Sequence, residues 1–97
     1  MSKNIRTEAV DHLFDAILSL KDKEECYAFF EDVCTVNELI SLSQRYEVAK
    51  MLRENKTYLE IVEKTGASTA TISRVNRSLN YGCDGYDMVF ARLYEKK

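Results

Sequence analysis

The sequence predicts an all-α protein, and three observations support this fold class. The 97 residues include no proline and only three glycines, so few positions interrupt a helix. Apolar residues recur at the helical spacing i, i+3, i+4 and i+7, whereas no alternating, strand-like run stands out. Hydrophobic residues make up 45% of the chain and charged residues 31%, a composition typical of folded globular proteins rather than disordered ones.

The first half of the chain is predicted to contain four of seven short helices. Thr35 and Glu38 have the spacing of a capping box, which predicts the start of a short third helix. We expect a separate fourth helix to follow and to end near Arg53. The two helices before them are predicted from apolar stripes, formed by Val10, Leu13, Phe14 and Ile17 and by Cys26, Phe29, Phe30 and Val33.

A helix-turn-helix is predicted between about residues 57 and 80. Thr57 and Glu60 form a second capping box, and Gly66 is suited to the left-handed backbone that ends a helix. Ser68 then caps the second helix of the pair. We expect the inward-facing side chains of the two helices to be Ile61, Val62, Ile72, Val75 and Leu79.

The last helix follows a loop predicted at residues 80–85, and it again carries an apolar stripe. Seven stripes are hard to bury within one small chain, so we expect the two ends of the chain to form the core of a homodimer. We expect a single domain, 1–97. Residues 1–53 and 84–97 are predicted to form the dimer core, and the helix-turn-helix at 57–80, called the reading head below, is predicted to lie outside that core. The large side chains expected in the dimer core are Leu13, Phe14, Tyr27, Phe29, Phe30, Tyr86, Phe90 and Tyr94.

Charge is distributed unevenly along the chain, although the net charge is only −2. Residues 1–43 carry four basic and nine acidic groups, whereas residues 44–80 carry seven basic and four acidic groups. Residues 68–80 contain Arg74 and Arg77 and no acid. A cationic helix-turn-helix on an acidic body is compatible with phosphate binding, although charge alone favours an ordinary solvated surface.

Enzymatic and metal-binding functions find little support in the sequence. His12 is the one histidine, and no glycine-rich phosphate loop or nucleophile elbow is present. Cys26, Cys34 and Cys83 lack the spacing of a zinc site, so we expect them to be reduced and mostly packed thiols. We therefore predict no catalytic residue, no metal site and no cofactor.

The reading-head sequence resembles that of the tryptophan repressor. The run Gly66–Arg74, GASTATISR, and the run Asn76–Asn80 carry this resemblance, which extends over about residues 8–95. Within this Trp-repressor-like superfamily, the chain is most similar to the small Trp-repressor-related YerC/YecD family. The resemblance implies an intertwined homodimer with two reading heads, which enter successive major grooves of a pseudo-palindromic operator.

The resemblance also places DNA-contacting positions on this chain. Small hydroxyl and methyl side chains at the start of a recognition helix suit base edges in the major groove. Arg74 and Arg77 add positive charge to the same helix, whereas Leu59, Val62 and Asn80 replace polar or basic contacts of the repressor. The positions carried over by the resemblance are Tyr58, Ser68, Thr69, Ala70, Thr71 and Ser73.

The co-repressor site of the resembled family is only half preserved. Arg74 and Ser78 match it, but Gln44 stands where the family has a second arginine, with Arg45 beside it. Val75 replaces a glycine that leaves room for the ligand. We therefore expect no L-tryptophan binding in the manner of the repressor, because an amide cannot pair with a carboxylate as a guanidinium does. A different small ligand at these four polar residues stays open.

Two functions compete at this point. The first is a dimeric, sequence-specific DNA-binding transcriptional regulator, with repression as the expected direction and double-stranded DNA as the partner. The second is a protein-interaction module that keeps the fold and has lost DNA binding, which the acidic N-terminal half favours. The N-terminal segment lacks the apolar core of a signal peptide, and no run of about 18 apolar residues occurs. We expect a cytoplasmic protein without a membrane span.

Overall fold

The computed structural model describes residues 4–95 and confirms the all-α fold class, since the regular structure in that range is entirely helical. Capping side chains define several helix starts. Thr7 Oγ1 accepts a hydrogen bond from the backbone N–H of Val10, and Asp22 Oδ1 accepts one from Glu25. The six helices of the described range are α1 Glu8–Leu18, α2 Lys23–Val33, α3 Val36–Arg53, α4 Tyr58–Thr65, α5 Thr69–Tyr81 and α6 Gly85–Tyr94.

The prediction of two short helices between Thr35 and Arg53 is wrong, because α3 is one continuous helix. It begins at Val36, directly after Thr35, as the capping pattern indicated. No glycine or proline lies between Ile40 and Val48, and the serines at 41 and 43 do not break a helix in the way that those residues do. Ser43 instead donates its hydroxyl to the carbonyl of Ile40 at 2.8 Å, which is compatible with continuous helix.

The chain divides into two compact units between Val36 and Asn37. The first unit contains α1 and α2, and neither helix has a buried residue. Their apolar stripes are present as predicted, yet much of each stripe is exposed to solvent. The exposed apolar side chains of this unit include Leu13, Phe14, Leu18, Tyr27 and Val33.

The second unit, from Asn37 onward, contains the buried core of the described residues. Each of its helices contributes to this core, and Tyr46, Met51, Leu52, Val62 and Tyr86 pack against it as partly buried neighbours. The core packs α3, α4, α5 and α6 together, so it also holds the predicted helix-turn-helix in place. The buried residues are Val48, Ala49, Ile61, Ala67, Ile72, Val75, Leu79 and Phe90.

The three cysteines are free, and two of them differ from the packed state that the sequence predicted. Cys26 and Cys83 are exposed, and Cys34 is half-buried. Cys26 belongs to the apolar stripe of α2, which has no buried residue at all, so the expected packing partner of that stripe is not within this unit.

Candidate nucleic-acid interface

The first helix of the helix-turn-helix, α4, is capped as the sequence predicts. The N–H of Glu60 donates to Thr57 Oγ1 at 3.1 Å, and the N–H of Thr57 donates to Glu60 Oε1 at 2.7 Å. These two bonds complete a capping box. They also lower the pKa of the Glu60 carboxyl below its usual value, because the backbone and side chain of Thr57 favour the charged carboxylate.

The turn between α4 and α5 depends on the backbone conformation of Gly66. Its φ of 73° is left-handed, and a Cβ at this position would meet no atom within 4 Å. Conformation rather than space therefore favours glycine here. Ala67 follows with 2% of its surface exposed, so a small side chain lets the turn pack against the core. Thr65 braces the turn by accepting the N–H of Ala67 at 3.1 Å.

The start of α5 is closed by Ser68. Its hydroxyl accepts the N–H of Thr71 at 3.1 Å, and the two hydroxyl oxygens also lie 3.1 Å apart. Ser68 is exposed, but Thr71 is half-buried. These two predicted DNA-contacting residues therefore shape the N-terminal end of the helix in the free protein, in addition to any contact they make with a ligand.

Two faces of α5 differ sharply in burial. Ile72, Val75 and Leu79 are 0%, 2% and 4% exposed, so they anchor the helix to the core. On the opposite side, the exposed residues from Thr69 to Asn80 have small polar, methyl or basic side chains, and residues 68–80 include no acid. The predicted DNA-contacting residues exposed on this side are Thr69, Ala70, Ser73, Arg74 and Arg77.

Both arginines of this exposed side are available to an anionic partner. Within the part of the chain that the structure describes, neither Arg74 nor Arg77 pairs with an acidic side chain. Unpaired guanidinium groups on an exposed helix suit phosphate recognition. Tyr58, the first residue of α4, is 40% exposed and could reach a backbone phosphate through its hydroxyl, whereas its neighbour Leu59 is 68% exposed and apolar.

The four residues of the predicted ligand pocket differ in their contacts and exposure. Gln44 donates its amide to the carbonyl of Thr65 at 3.1 Å, so it connects α3 to the end of α4. Arg45 is half-buried, while Arg74 and Ser78 are exposed. Ser78 lines an apolar cavity of about 540 Å³ whose other lining residues are Tyr46, Gly82, Cys83, Gly85, Tyr86 and Val89.

An ion pair near the reading head could not be predicted from the sequence. Arg53 at the end of α3 forms an ion pair with Asp87 of α6, with Nη2 and Oδ2 at 2.8 Å. The same Nη2 donates to the carbonyl of Leu79 in α5 at 3.2 Å. Neither residue belongs to a recognisable motif, and only their opposite charges in two separate helices offered a signal.

Membrane-spanning helices and metal-ligating clusters are both absent from residues 4–95. No helix in this range combines the length and the apolar character needed to cross a membrane. The same range holds no cluster of three or more histidine, cysteine, aspartate or glutamate side chains that could ligate a metal ion.

Comparisons with known proteins agree with the geometry. The sequence profile of the family described as Trp repressor protein matches residues 8–94. YerC of Bacillus subtilis, named as an uncharacterized protein, is 62% identical over 91 residues, which are 94% of this chain and 88% of that protein.

Two solved structures are also similar. One is a TrpR-like protein from Eubacterium eligens, with 73% identity, 96% of each chain covered and a TM-score of 0.92. The other is a candidate Trp repressor from Staphylococcus aureus, with 56% identity, a TM-score of 0.91 and coverage of 96% of this chain and 93% of that one. These findings confirm the resemblance stated from the sequence, and the chain belongs to the Trp repressor protein family.

Proposed function

We propose that this chain is a dimeric, sequence-specific DNA-binding regulator that represses transcription from a pseudo-palindromic operator. The observation that carries the proposal is the exposed side of α5. That side presents Thr69, Ala70, Ser73, Arg74 and Arg77 to solvent, while the opposite side is anchored in the core. Membership in a family of regulators supports the same function.

Each element of this exposed side has a role at a DNA groove. Thr69, Ala70 and Ser73 can meet base edges, because hydroxyl groups donate and accept hydrogen bonds and methyl groups contact thymine. Arg74 and Arg77 can neutralise phosphates, and Tyr58 can donate to one. We propose no L-tryptophan binding in the manner of the repressor, since Gln44 is occupied by the Thr65 carbonyl and Val75 belongs to the core.

The exposed stripes of α1 and α2 support the dimer. Phe14 is 49% exposed and Tyr27 is 56% exposed, which leaves large apolar surfaces in contact with water. Complete burial of a large apolar side chain contributes about 1.5–3 kcal/mol, so covering the exposed half of one contributes about half of that. A second copy of the chain would cover these stripes, and two reading heads would then address two inverted half-sites.

The test is selection of bound sequences from a random double-stranded DNA pool by the full chain, at moderate salt and without added ligand. We expect enrichment of a motif with two inverted halves. Affinity for that motif should fall steeply with salt, by a slope of about 0.9 per neutralised phosphate on a log–log plot. A protein-interaction module that has lost DNA binding would enrich nothing, also after addition of a cell metabolite extract.

Two arginine variants give the selection a matched control. Arg74→Ala removes one cation from the exposed side of α5, whereas Arg92→Ala removes one from α6, outside the helix-turn-helix. We expect weaker binding and a smaller salt slope only for Arg74→Ala. Equal affinity of both variants for the enriched motif would argue against α5 as the reading element.

A further inference from the structure

Arg53 connects three helices through one side chain. Its Nε donates to Asp87 Oδ1 and its Nη2 to Asp87 Oδ2, both at 2.8 Å, so the guanidinium grips the carboxylate of α6 with two parallel bonds. Nη2 also donates to the carbonyl of Leu79 in α5 at 3.2 Å. A single residue at the end of α3 therefore holds both the recognition helix and the last helix.

The contact with α5 supplies a hydrogen-bond donor to the C-terminal end of that helix. The last carbonyls of a helix have no partner within it and carry partial negative charge. The N–H of Gly82 donates a hydrogen bond to the Ser78 carbonyl at 2.9 Å. The last turn of α5 has no basic side chain. Arg53 supplies both the donor and the positive charge from a neighbouring helix.

A second polar contact connects α3 to the helix-turn-helix. Gln44, nine residues earlier on α3, donates to the carbonyl of Thr65 at the end of α4. Nine residues of helix separate the two attachment points by about 14 Å. The buried core already holds the helix-turn-helix against α3, and two polar contacts along that helix restrict its tilt further.

We propose that Arg53 and Asp87 are positioning residues that fix the angle of the recognition helix α5 relative to α6, and so determine which half-site spacing the dimer accepts. This inference rests on the proposed function. In the proposed dimer α6 belongs to the core, so the angle between α5 and α6 sets how far apart the two recognition helices lie. Symmetric half-sites are read only when their separation matches that distance.

The dependence of DNA affinity on half-site spacing distinguishes a positioning role of Arg53 and Asp87 from a purely stabilising one. A variant that only lowers the stability of the fold binds every operator less well and keeps the ratio of affinities between spacings. A variant that frees the angle of α5 loses discrimination, because the two recognition helices then adapt to half-sites that are one base pair closer or farther. The measured quantity is therefore the affinity ratio between the selected operator and the same operator with one base pair inserted or removed.

Three variants and one matched control suit this measurement. Asp87→Asn removes the charge but keeps the shape, and Arg53→Lys keeps the charge but loses the planar guanidinium that binds the carboxylate through two parallel bonds. Arg53→Ala removes the whole contact. Glu54→Gln is the control, since Glu54, directly after α3, pairs with Lys50 of that same helix at 3.3 Å with similar exposure. Thermal melting followed by circular dichroism checks that each protein folds.

We expect the affinity ratio to fall about fivefold in Asp87→Asn and Arg53→Lys and to stay at the wild-type value in Glu54→Gln. Unchanged ratios in both of these folded variants would overturn the inference and leave the proposed function standing. An equal loss in Glu54→Gln would also overturn it, because removal of any nearby charge would then suffice. A wild-type protein that enriches no DNA would overturn the proposed function, and the inference with it. If Arg53→Ala fails to fold, the two conservative variants still decide the matter.

Discussion

The apolar stripes of α1 and α2 are as regular in sequence as those of α4 and α5, but their burial is very different. Ile61 and Ile72 have no exposed surface, whereas Phe14 of α1 and Val33 of α2 are 49% and 50% exposed. The C-terminal unit thus buries its own stripes, and the N-terminal unit does not. The comparison teaches that periodicity identifies the apolar face of a helix, but does not tell whether the covering surface comes from the same chain.

The largest effect is expected from a cavity in the C-terminal unit. Ile72→Ala removes a fully buried side chain from α5, so we expect the free energy of unfolding to fall by about 2–5 kcal/mol. Chemical denaturation followed by circular dichroism measures this loss. Leu59→Ala on α4 is the matched control, since Leu59 is 68% exposed and should change the stability by less than about 0.5 kcal/mol. Similar losses in the two variants would contradict the burial difference.

The next effect concerns the N-terminal unit and the proposed dimer. Phe14→Glu places a charge in the exposed stripe of α1, and we expect dimerisation to weaken by about 2 kcal/mol, or about thirtyfold in Kd. Sedimentation over a range of concentrations measures the shift. His12→Ala, a neighbouring change at an exposed polar residue, should leave the dimer intact. A wild-type chain that is a stable monomer at micromolar concentration would contradict the dimer itself.

Much of the fold could be predicted because local signals and packing agree in the C-terminal unit. Gly66 has the left-handed backbone expected of it, Thr57 and Ser68 cap their helices, and the predicted inner face of α5 is buried. The predicted gap within α3 was wrong because serine weakens a helix only slightly and tertiary packing overrides such a preference. Cys26 was misjudged since the covering surface of its stripe could not be read from the pattern.

The candidate site could be predicted only in part, for a related reason. Arg74 and Arg77 could be proposed from the sequence because they lie in a recognisable helix-turn-helix, and the structure leaves both exposed. Arg53 and Asp87 were missed because a contact between residues 34 positions apart has no periodic signature in one sequence. The contact between Gln44 and the Thr65 carbonyl was equally invisible, although the substitution of arginine by glutamine at that position was noticed.

A smaller effect compares the same substitution in both units. Thr57 caps α4 in the C-terminal unit and Thr7 caps α1 in the N-terminal unit. We expect Thr57→Ala to lower the free energy of unfolding by about 1 kcal/mol, because α4 is packed on the core and unfolds with it. Thr7→Ala should cost less than half as much, since α1 has no buried residue and its first turn can fray alone. Denaturation at one fixed protein concentration compares them, and a larger loss for Thr7→Ala would reverse the expected order.

The smallest effect is a pH dependence carried by the ion pair between α3 and α6. Hydrogen bonds from Arg53 lower the pKa of the Asp87 carboxyl below its usual value. A carboxyl whose folded pKa lies below its unfolded pKa stabilises the fold above the ordinary aspartate pKa of about 4, and this contribution disappears as the pH falls through the folded pKa. Wild type and Asp87→Asn should therefore differ in melting temperature at pH 7 and converge as the pH falls through the folded pKa of Asp87. Glu54→Gln is the control for removal of a nearby carboxylate, because Glu54, directly after α3, pairs with Lys50 of that same helix. At pH 7 its melting temperature should differ less from that of wild type than the melting temperature of Asp87→Asn does. A difference for Asp87→Asn that persists unchanged into strong acid would mean that the side chain stabilises the helices through its shape, and the charge of the ion pair would then contribute nothing to holding α6.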